Sequence, residues 1–278
     1  MNAPRVVLVL SGGGAKAAAH IGAARALYEA GIRPIHFVGT SMGAVIAVAL
    51  ASGEDPAVIL ERFASVKQSE VIAPERMQLF KGIWARALLK TGPLREAIRR
   101  IIPVQRFAEL ATPVTVTATE VKTGKEVAFG AGGEDAPVLD VLVATCALPP
   151  YFAAAPVNGR GFYDGGLRAV VPLRQARDIE CDFVVAIHVG PAFDEQGAPV
   201  QVPPPFVAAA DTAIGWLMAG TTELMREHWE LDPGAPPLIW LRPISDRAAT
   251  FAMEKIPEYA EAGYTSMQKA LVDLQEDA

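Results

Sequence analysis

Gly39-Thr40-Ser41-Met42-Gly43 is where residue types and spacing in this 278-residue chain most directly suggest chemistry. The stretch fits G-x-S-x-G, with an apolar strand-like run before it and a small-residue helical run after it, so the serine falls in a tight strand-to-helix turn. Such a turn lifts the hydroxyl clear of the backbone in a strained conformation. The residues two before and two after must be tiny to let strand and helix approach, and Gly39 and Gly43 meet that need. The new helix N-terminus also favours negative charge developing beside it. Ser41 is therefore a candidate nucleophile; the competing reading is an ordinary N-cap serine in a glycine turn.

Ser11-Gly12-Gly13-Gly14-Ala15-Lys16 also lies between a strand and a helix, where successive backbone N–H groups can face an anion. A dinucleotide fingerprint would want G-x-G-x-x-G and an acidic residue at the end of the second strand. The chain has Ala17 at the last glycine and Phe37-Val38-Gly39 at that strand end. A phosphate loop fails as well, because Lys16 is followed by Ala17. The third reading is an oxyanion hole: parallel neighbouring strands bring this loop and Ser41 to one sheet edge, with Gly13 and Gly14 as backbone donors. Lys16 would orient the loop or meet an anionic head group, against the alternative of an exposed lysine at a helix start.

An activated serine needs a proton acceptor. Of the histidines, His20 and His36 precede Ser41, and the α/β-hydrolase order of serine, acid, histidine leaves His188 and His228, neither in a convincing turn motif. Asp164-Gly165-Gly166 instead places a carboxylate at a strand exit, followed by two glycines that permit close backbone approach. Its other reading is a simple Asp-Gly turn.

Taken in order, Gly12-Gly13-Gly14-Ala15-Lys16, Gly39-Thr40-Ser41-Met42-Gly43, Ala144-Thr145-Cys146-Ala147-Leu148-Pro149-Pro150-Tyr151-Phe152 and Asp164-Gly165-Gly166 resemble the patatin-like phospholipases, over about 6–189. The resemblance implies a three-layer α/β fold with a mostly parallel central sheet flanked by helices and a nucleophile elbow after the second strand. It implies Ser41 as nucleophile, Asp164 as base, and Gly13 and Gly14 as oxyanion donors. Gly12, Lys16, Gly39, Gly43, Gly165 and Gly166 are then supporting positions. The implied activity is a serine acyl hydrolase that cleaves lipid carboxylic esters through an acyl-enzyme, with no cofactor. No metal is expected either, because no His/Cys/Asp cluster has ligand spacing. The chain departs from many members at Ala17, where they carry glycine, and at Ala169-Val170, where they carry asparagines. Two further readings stay open: a His-dependent α/β-hydrolase-type esterase or thioesterase, and a catalytically silent lipid-binding protein.

The elements that must position these residues alternate strand and helix. Strands are expected at 6–10, 35–38, 114–120, 126–130, up to Asp164, 184–189 and 238–241. Helices are expected at 16–30, from 43 to 52, at 138–144, from Pro172, at 206–230 and at 258–275. A helical, loop-rich insertion at about 56–113 interrupts the alternation and could cap the site. No composition break divides the chain, so 1–278 reads as a single acyl hydrolase domain.

A formal net charge of −6 offers no basic field for nucleic-acid phosphates. Cys146 and Cys181 form no disulfide framework and fit a reducing compartment; with no secretory signal and no apolar run of about 18 residues, a cytoplasmic protein is expected. One segment reverses the charge: 76–106 holds eight basic residues and one acidic residue, Glu96. Phe80, Ile83, Trp84, Ala87 and Leu88 would form an apolar helical stripe beside Arg86 and Lys90, and Leu94, Ile98 and Ile101 a second beside Arg95 and Arg99. The segment is expected either to dock peripherally on an anionic membrane or to pack as a structural cap.

Overall fold

The computed structural model describes residues 3–71, 87–195, 205–246 and 252–276. Strands β1 (Val6–Leu10), β2 (His36–Thr40), β3 (Val114–Glu120), β4 (Glu126–Gly130), β5 (Ala155–Val157), β6 (Arg160–Asp164), β7 (Phe183–Ile187) and β8 (Leu238–Leu241) share one sheet. Its order is β5-β6-β3-β2-β1-β7-β8, with β4 also on β3. From β3 to β8 the strands pair in parallel, and β4, β5 and β6 join antiparallel. Helices are α1 (Ala18–Glu29), α2 (Ser41–Ala51), α3 (Pro56–Ser65), the single turn α4 (Gln68–Val71), α5 (Thr91–Ile101), α6 (Val138–Thr145), α7 (Pro205–Leu231) and α8 (Ile256–Glu276).

The five residues of β1 are all apolar and fully buried, as a central parallel strand covered on both faces requires. Alternate side chains divide between two clusters. Val6, Leu8 and Leu10 pack with α1 and α2, whereas Val7 and Val9 pack with Val170, Val171, Met218 and Trp229 on the other face. This is the expected three-layer α/β arrangement with a mostly parallel sheet. α2 has no polar face: everything from Gly43 to Ala51 is buried, so this helix lies inside the helical layer.

Two expected helices differ. The one read from Lys16 begins as a 3₁₀ turn over Gly14–Ala17 before α1, and the one read from Pro172 is only a 3₁₀ turn at Leu173–Ala176. The second stops at Ala176 and the chain continues in i→i+3 turns, with the Arg177 amide on Arg174 O and the Ile179 amide on Ala176 O, before β7 begins at Phe183. The short edge strand β5 had no alternating signal to reveal it.

Most of the first apolar stripe of 76–106 lies outside the described residues. The second stripe is described, and it faces inward: Leu94, Ala97, Ile98 and Ile101 of α5 are buried. The flanking cations are engaged, Arg95 with Asp140, Arg99 with Glu96 and Arg100 with Glu70. This stripe is core, which removes it from any membrane-docking face. Among the described residues no helix is long and apolar enough to cross a membrane.

α1 and α8 cross at two glycines. A Cβ on Gly22 would fall 1.8 Å from the Ala260 carbonyl oxygen, and one on Gly263 would fall 2.0 Å from that of Ala19. Helix propensity alone favours Ala over Gly by about 1 kcal/mol, but backbone cannot yield as a flexible side chain can. Gly263→Ala should therefore destabilise the chain by about 1–3 kcal/mol or more in denaturant titration. A stabilised variant would show that the helices do not cross this closely.

Candidate active site

The register of β3 brings the serine and the aspartate together. Thr117 pairs with Thr40, the last residue of β2, while the next residue, Ala118, pairs with Asp164, the last residue of β6. The chain leaving β2 is thus delivered to the end of β6. Ser41 Oγ donates to Asp164 Oδ2 at 2.7 Å.

Ser41 takes a positive φ of 52°, a costly conformation for a residue with a side chain. The local packing explains how it is held. A Cβ on Gly39 would meet Ala44 Cα at 2.6 Å, and one on Gly43 the Ser11 carbonyl oxygen at 2.3 Å, so both positions of the turn must be glycine for α2 to start here. The Ser41 amide donates to Thr145 Oγ1 (2.8 Å), whose own proton goes to the Thr117 carbonyl (2.6 Å). Thr145 therefore ties the elbow to β3. Thr145 falls within the proline-containing segment of the resemblance, but no local pattern marked its hydroxyl as the partner of the Ser41 amide.

Asp164 is 4 % exposed. Its Oδ1 accepts from the Gly166 amide (2.7 Å), its carbonyl from Thr119 Oγ1 (2.9 Å), and its amide donates to Ala147 O (3.1 Å). Local support thus comes from these groups, with Ala169 and Val170 buried in place of asparagines. The Val170 carbonyl instead accepts from the Gly12 amide (3.0 Å). Burial raises the Asp164 pKa from an ordinary 3.8 to about 7, against the opposing hydrogen bonds from Ser41 and Gly166. A carboxylate so tuned is a far better base than one exposed to water.

Gly12, Gly13, Gly14, Ser41, Asp164 and Gly166 line a single cavity. The rest of its wall is largely apolar, with Phe63 of α3 and Val66 at its C-terminal end, Leu94 and Ile98 from α5, and Met218 from α7 among its residues. Cys146 also lines it, a buried thiol whose pKa burial pushes well up. Gly165 packs behind the site, where a Cβ would strike the Thr117 carbonyl and Thr40 Oγ1, each at 2.3 Å.

Lys16 is not an exposed helix-start residue. It is 5 % exposed, with Nζ 3.3 Å from Glu195 Oε1 and 3.1 Å from the Asp246 carbonyl, and burial lowers its pKa. It anchors the glycine loop to the segments after β7 and β8.

The histidines are occupied elsewhere. His20 binds the Ser11 carbonyl (2.9 Å), His36 binds Thr115 Oγ1 (2.9 Å), and His228 is exposed on α7. His188 lies beside Arg242, and burial first, then Arg242 and Lys16, push its pKa down to about 3. None is among the residues lining the cavity. Among the described residues no group of His, Cys, Asp and Glu is arranged to hold a metal ion.

The raised pKa of Asp164 makes a stability prediction with a definite sign. Between the unfolded value near 4 and the folded value near 7 the native state holds the extra proton. Its contribution to stability is complete below pH ~4 and is lost as pH rises through about 7. Asp164→Asn cannot ionise, so its melting temperature should gain on that of the parent chain as pH rises from 4 to 8. A difference that stays constant over this range would mean the carboxyl titrates normally.

Residues 8–177 match the model of the family described as patatin-like phospholipase. An NTE family protein of Mycobacterium tuberculosis is 32 % identical over 200 residues, covering 70 % of this chain and 53 % of that protein. The chain thus spans about half the length of the mycobacterial relatives it matches. A Caenorhabditis elegans patatin-like phospholipase domain-containing protein is 29 % identical over 187 residues, 66 % of this chain and 13 % of that protein. The fold is similar to that of human GIVD cytosolic phospholipase A2, with a TM-score of 0.51 and 12 % identity, over 97 % of this chain and 59 % of that one. With the family model spanning more than half its length, and over the motifs that build the cavity, the chain belongs to the patatin-like phospholipase family.

Proposed function

We propose that this protein is a serine acyl hydrolase that cleaves carboxylic esters of lipids with a Ser41–Asp164 dyad, 1–278 acting as one domain. The observation that carries the reading is the 2.7 Å hydrogen bond from Ser41 Oγ to a buried carboxylate at the wall of an apolar cavity. Asp164 accepts the Ser41 proton as the hydroxyl attacks the ester carbonyl, then returns it to the departing alcohol. An acyl-serine is left. Asp164 next takes a proton from water as it attacks the acyl carbonyl, then gives it to Ser41 Oγ as the acyl–oxygen bond breaks and the fatty acid leaves. Gly13 and Gly14 amides bind the oxyanion of both tetrahedral intermediates, since the Gly12 amide is already given to Val170. No cofactor enters these steps.

The apolar wall is the acyl site in this reading, with phospholipid or lysophospholipid as substrate class. A cytoplasmic location fits the two free thiols, Cys146 and Cys181. Contact with an anionic membrane through 76–106 now rests on its part before α5, because the stripe of α5 itself is buried. A His-dependent mechanism is disfavoured by the placement of His188 and His228. Labelling with a fluorophosphonate separates an enzyme from a silent lipid binder, since only an activated Ser41 reacts.

Ser41→Ala and Asp164→Asn should each lower ester hydrolysis by orders of magnitude in folded protein, whereas His188→Ala and His228→Ala should not. The parent activity should rise with pH through an apparent pKa near 7 as Asp164 loses its proton. A histidine variant that folds but is inactive would replace the dyad with a triad. The acyl site is tested separately by Ala97→Phe, which projects a ring into the cavity from α5. It should reduce turnover of a long-chain p-nitrophenyl ester about tenfold or more relative to the butyrate. Equal losses on both esters would place the acyl chain elsewhere.

A further inference from the structure

Behind the glycine loop lies a buried polar group with no part in the steps above. Ser11, the residue before the three glycines, is fully buried and does not line the cavity. Its hydroxyl accepts from the Val189 amide at 2.8 Å and donates to the Gly12 carbonyl at 3.0 Å. The Val189 amide can only donate, so the single hydroxyl proton of Ser11 is directed at Gly12.

That bond has a consequence for the next residue. A trans peptide is planar, with its C=O and N–H pointing in opposite directions, so fixing the carbonyl of one residue fixes the amide of the following one. Holding the Gly12 carbonyl from behind aims the Gly13 N–H to the other side. The Gly13 carbonyl is held in the same sense by the Lys16 amide at 3.2 Å, which fixes the Gly14 N–H. The preceding peptide is clamped at both ends. The Ser11 carbonyl meets His20 Nε2 at 2.9 Å, and the Gly12 amide donates to Val170 O at 3.0 Å. Because a carbonyl only accepts, His20 is the donor there and carries its proton on Nε2.

We infer that Ser11 is a positioning residue of the oxyanion loop: its buried hydroxyl sets the direction of the Gly13 N–H, with His20 holding the Ser11 peptide in place. Glycines supply close approach at this loop but no rigidity, and an oxyanion donor is effective only if it is aligned before the charge develops. Of the two donors, Gly14 is aligned by backbone alone and Gly13 depends on a side chain. The inference rests on the reading of Gly13 and Gly14 as oxyanion donors.

The test is steady-state hydrolysis of p-nitrophenyl butyrate by Ser11→Ala and Ser11→Thr, with the folded fraction measured by circular dichroism at the assay temperature. Loss of a whole oxyanion donor typically costs about 10²–10³ in turnover. Misdirecting one should lower the kcat of Ser11→Ala by about tenfold or more with KM within about twofold. Ser11→Thr, which keeps the hydroxyl, should recover most of the rate. If Ser11→Ala is not folded, Ser11→Thr and Ser11→Val decide, since they share a shape and differ in the hydroxyl; a tenfold advantage for Thr supports the inference and equal rates overturn it. Wild-type kcat in Ser11→Ala, or a loss in KM alone, also overturns it while leaving the dyad intact. Retained turnover in Ser41→Ala would instead overturn the functional reading on which this one rests.

Discussion

Adjacent residues of β3 hold the two strand ends that carry the candidate dyad, Thr117 through Thr40 and Ala118 through Asp164. Everything at the site depends on that register. In a strand the side-chain period is two, so a slip of one residue would send the aspartate to the opposite face of the sheet. Several contacts fix the pairing against such a slip. Thr40 and Thr117 share a hydroxyl–hydroxyl bond of 2.6 Å, Thr119 holds the Asp164 carbonyl, and Thr145 joins the Ser41 amide to the Thr117 carbonyl. The parallel half of the sheet supplies the elbow and the antiparallel half supplies the carboxylate, and β3 is the strand common to both.

The same arrangement is costly for the fold. Ser41 sits at a positive φ, and Asp164 is buried where its charged form is poorly solvated. Both costs are met by surrounding packing. Apolar β1, α2 buried from Gly43 to Ala51, and the close α1–α8 crossing give a rigid frame that over-determines the strained turn. In the proposed mechanism the penalty on the carboxylate is also the source of its basicity, so destabilisation and reactivity would share one origin, the removal of water from Asp164.

The third of the chain beyond β7 serves the site at a distance. Lys16 leaves the glycine loop to reach Glu195 and the Asp246 carbonyl, and Arg242 after β8 holds Asp194. Met218 of α7 completes the cavity wall beside Gly166. The matched family region ends at residue 177, yet the loop that carries the candidate oxyanion donors is anchored beyond it.

The sequence by itself determined the candidate serine, the aspartate and the glycine loop, because each needs a local pattern of small residues that backbone sterics impose. Gly39, Gly43 and Gly165 are glycine because a Cβ would strike backbone or a buried hydroxyl, a requirement visible in the motifs alone. It likewise determined the alternation of strand and helix, since the continuous apolar run Val6–Leu10 and the alternating Val114–Glu120 are each local strand signals. Only the tertiary structure decided what is not local. Ser11, Thr119 and Thr145 are common polar residues whose roles arise from partners far along the chain, with Thr145 104 residues from Ser41. The stripe of Leu94, Ile98 and Ile101 suits a membrane interface and a protein core equally well by periodicity, and packing chose the core. For Lys16 the sequence leaves open a loop-orienting lysine, one that meets a head group and an exposed one, until Glu195, 179 residues away, is brought beside it. A spacing pattern records what the backbone will tolerate at a position, whereas burial and long-range partners are set only when the sheet closes.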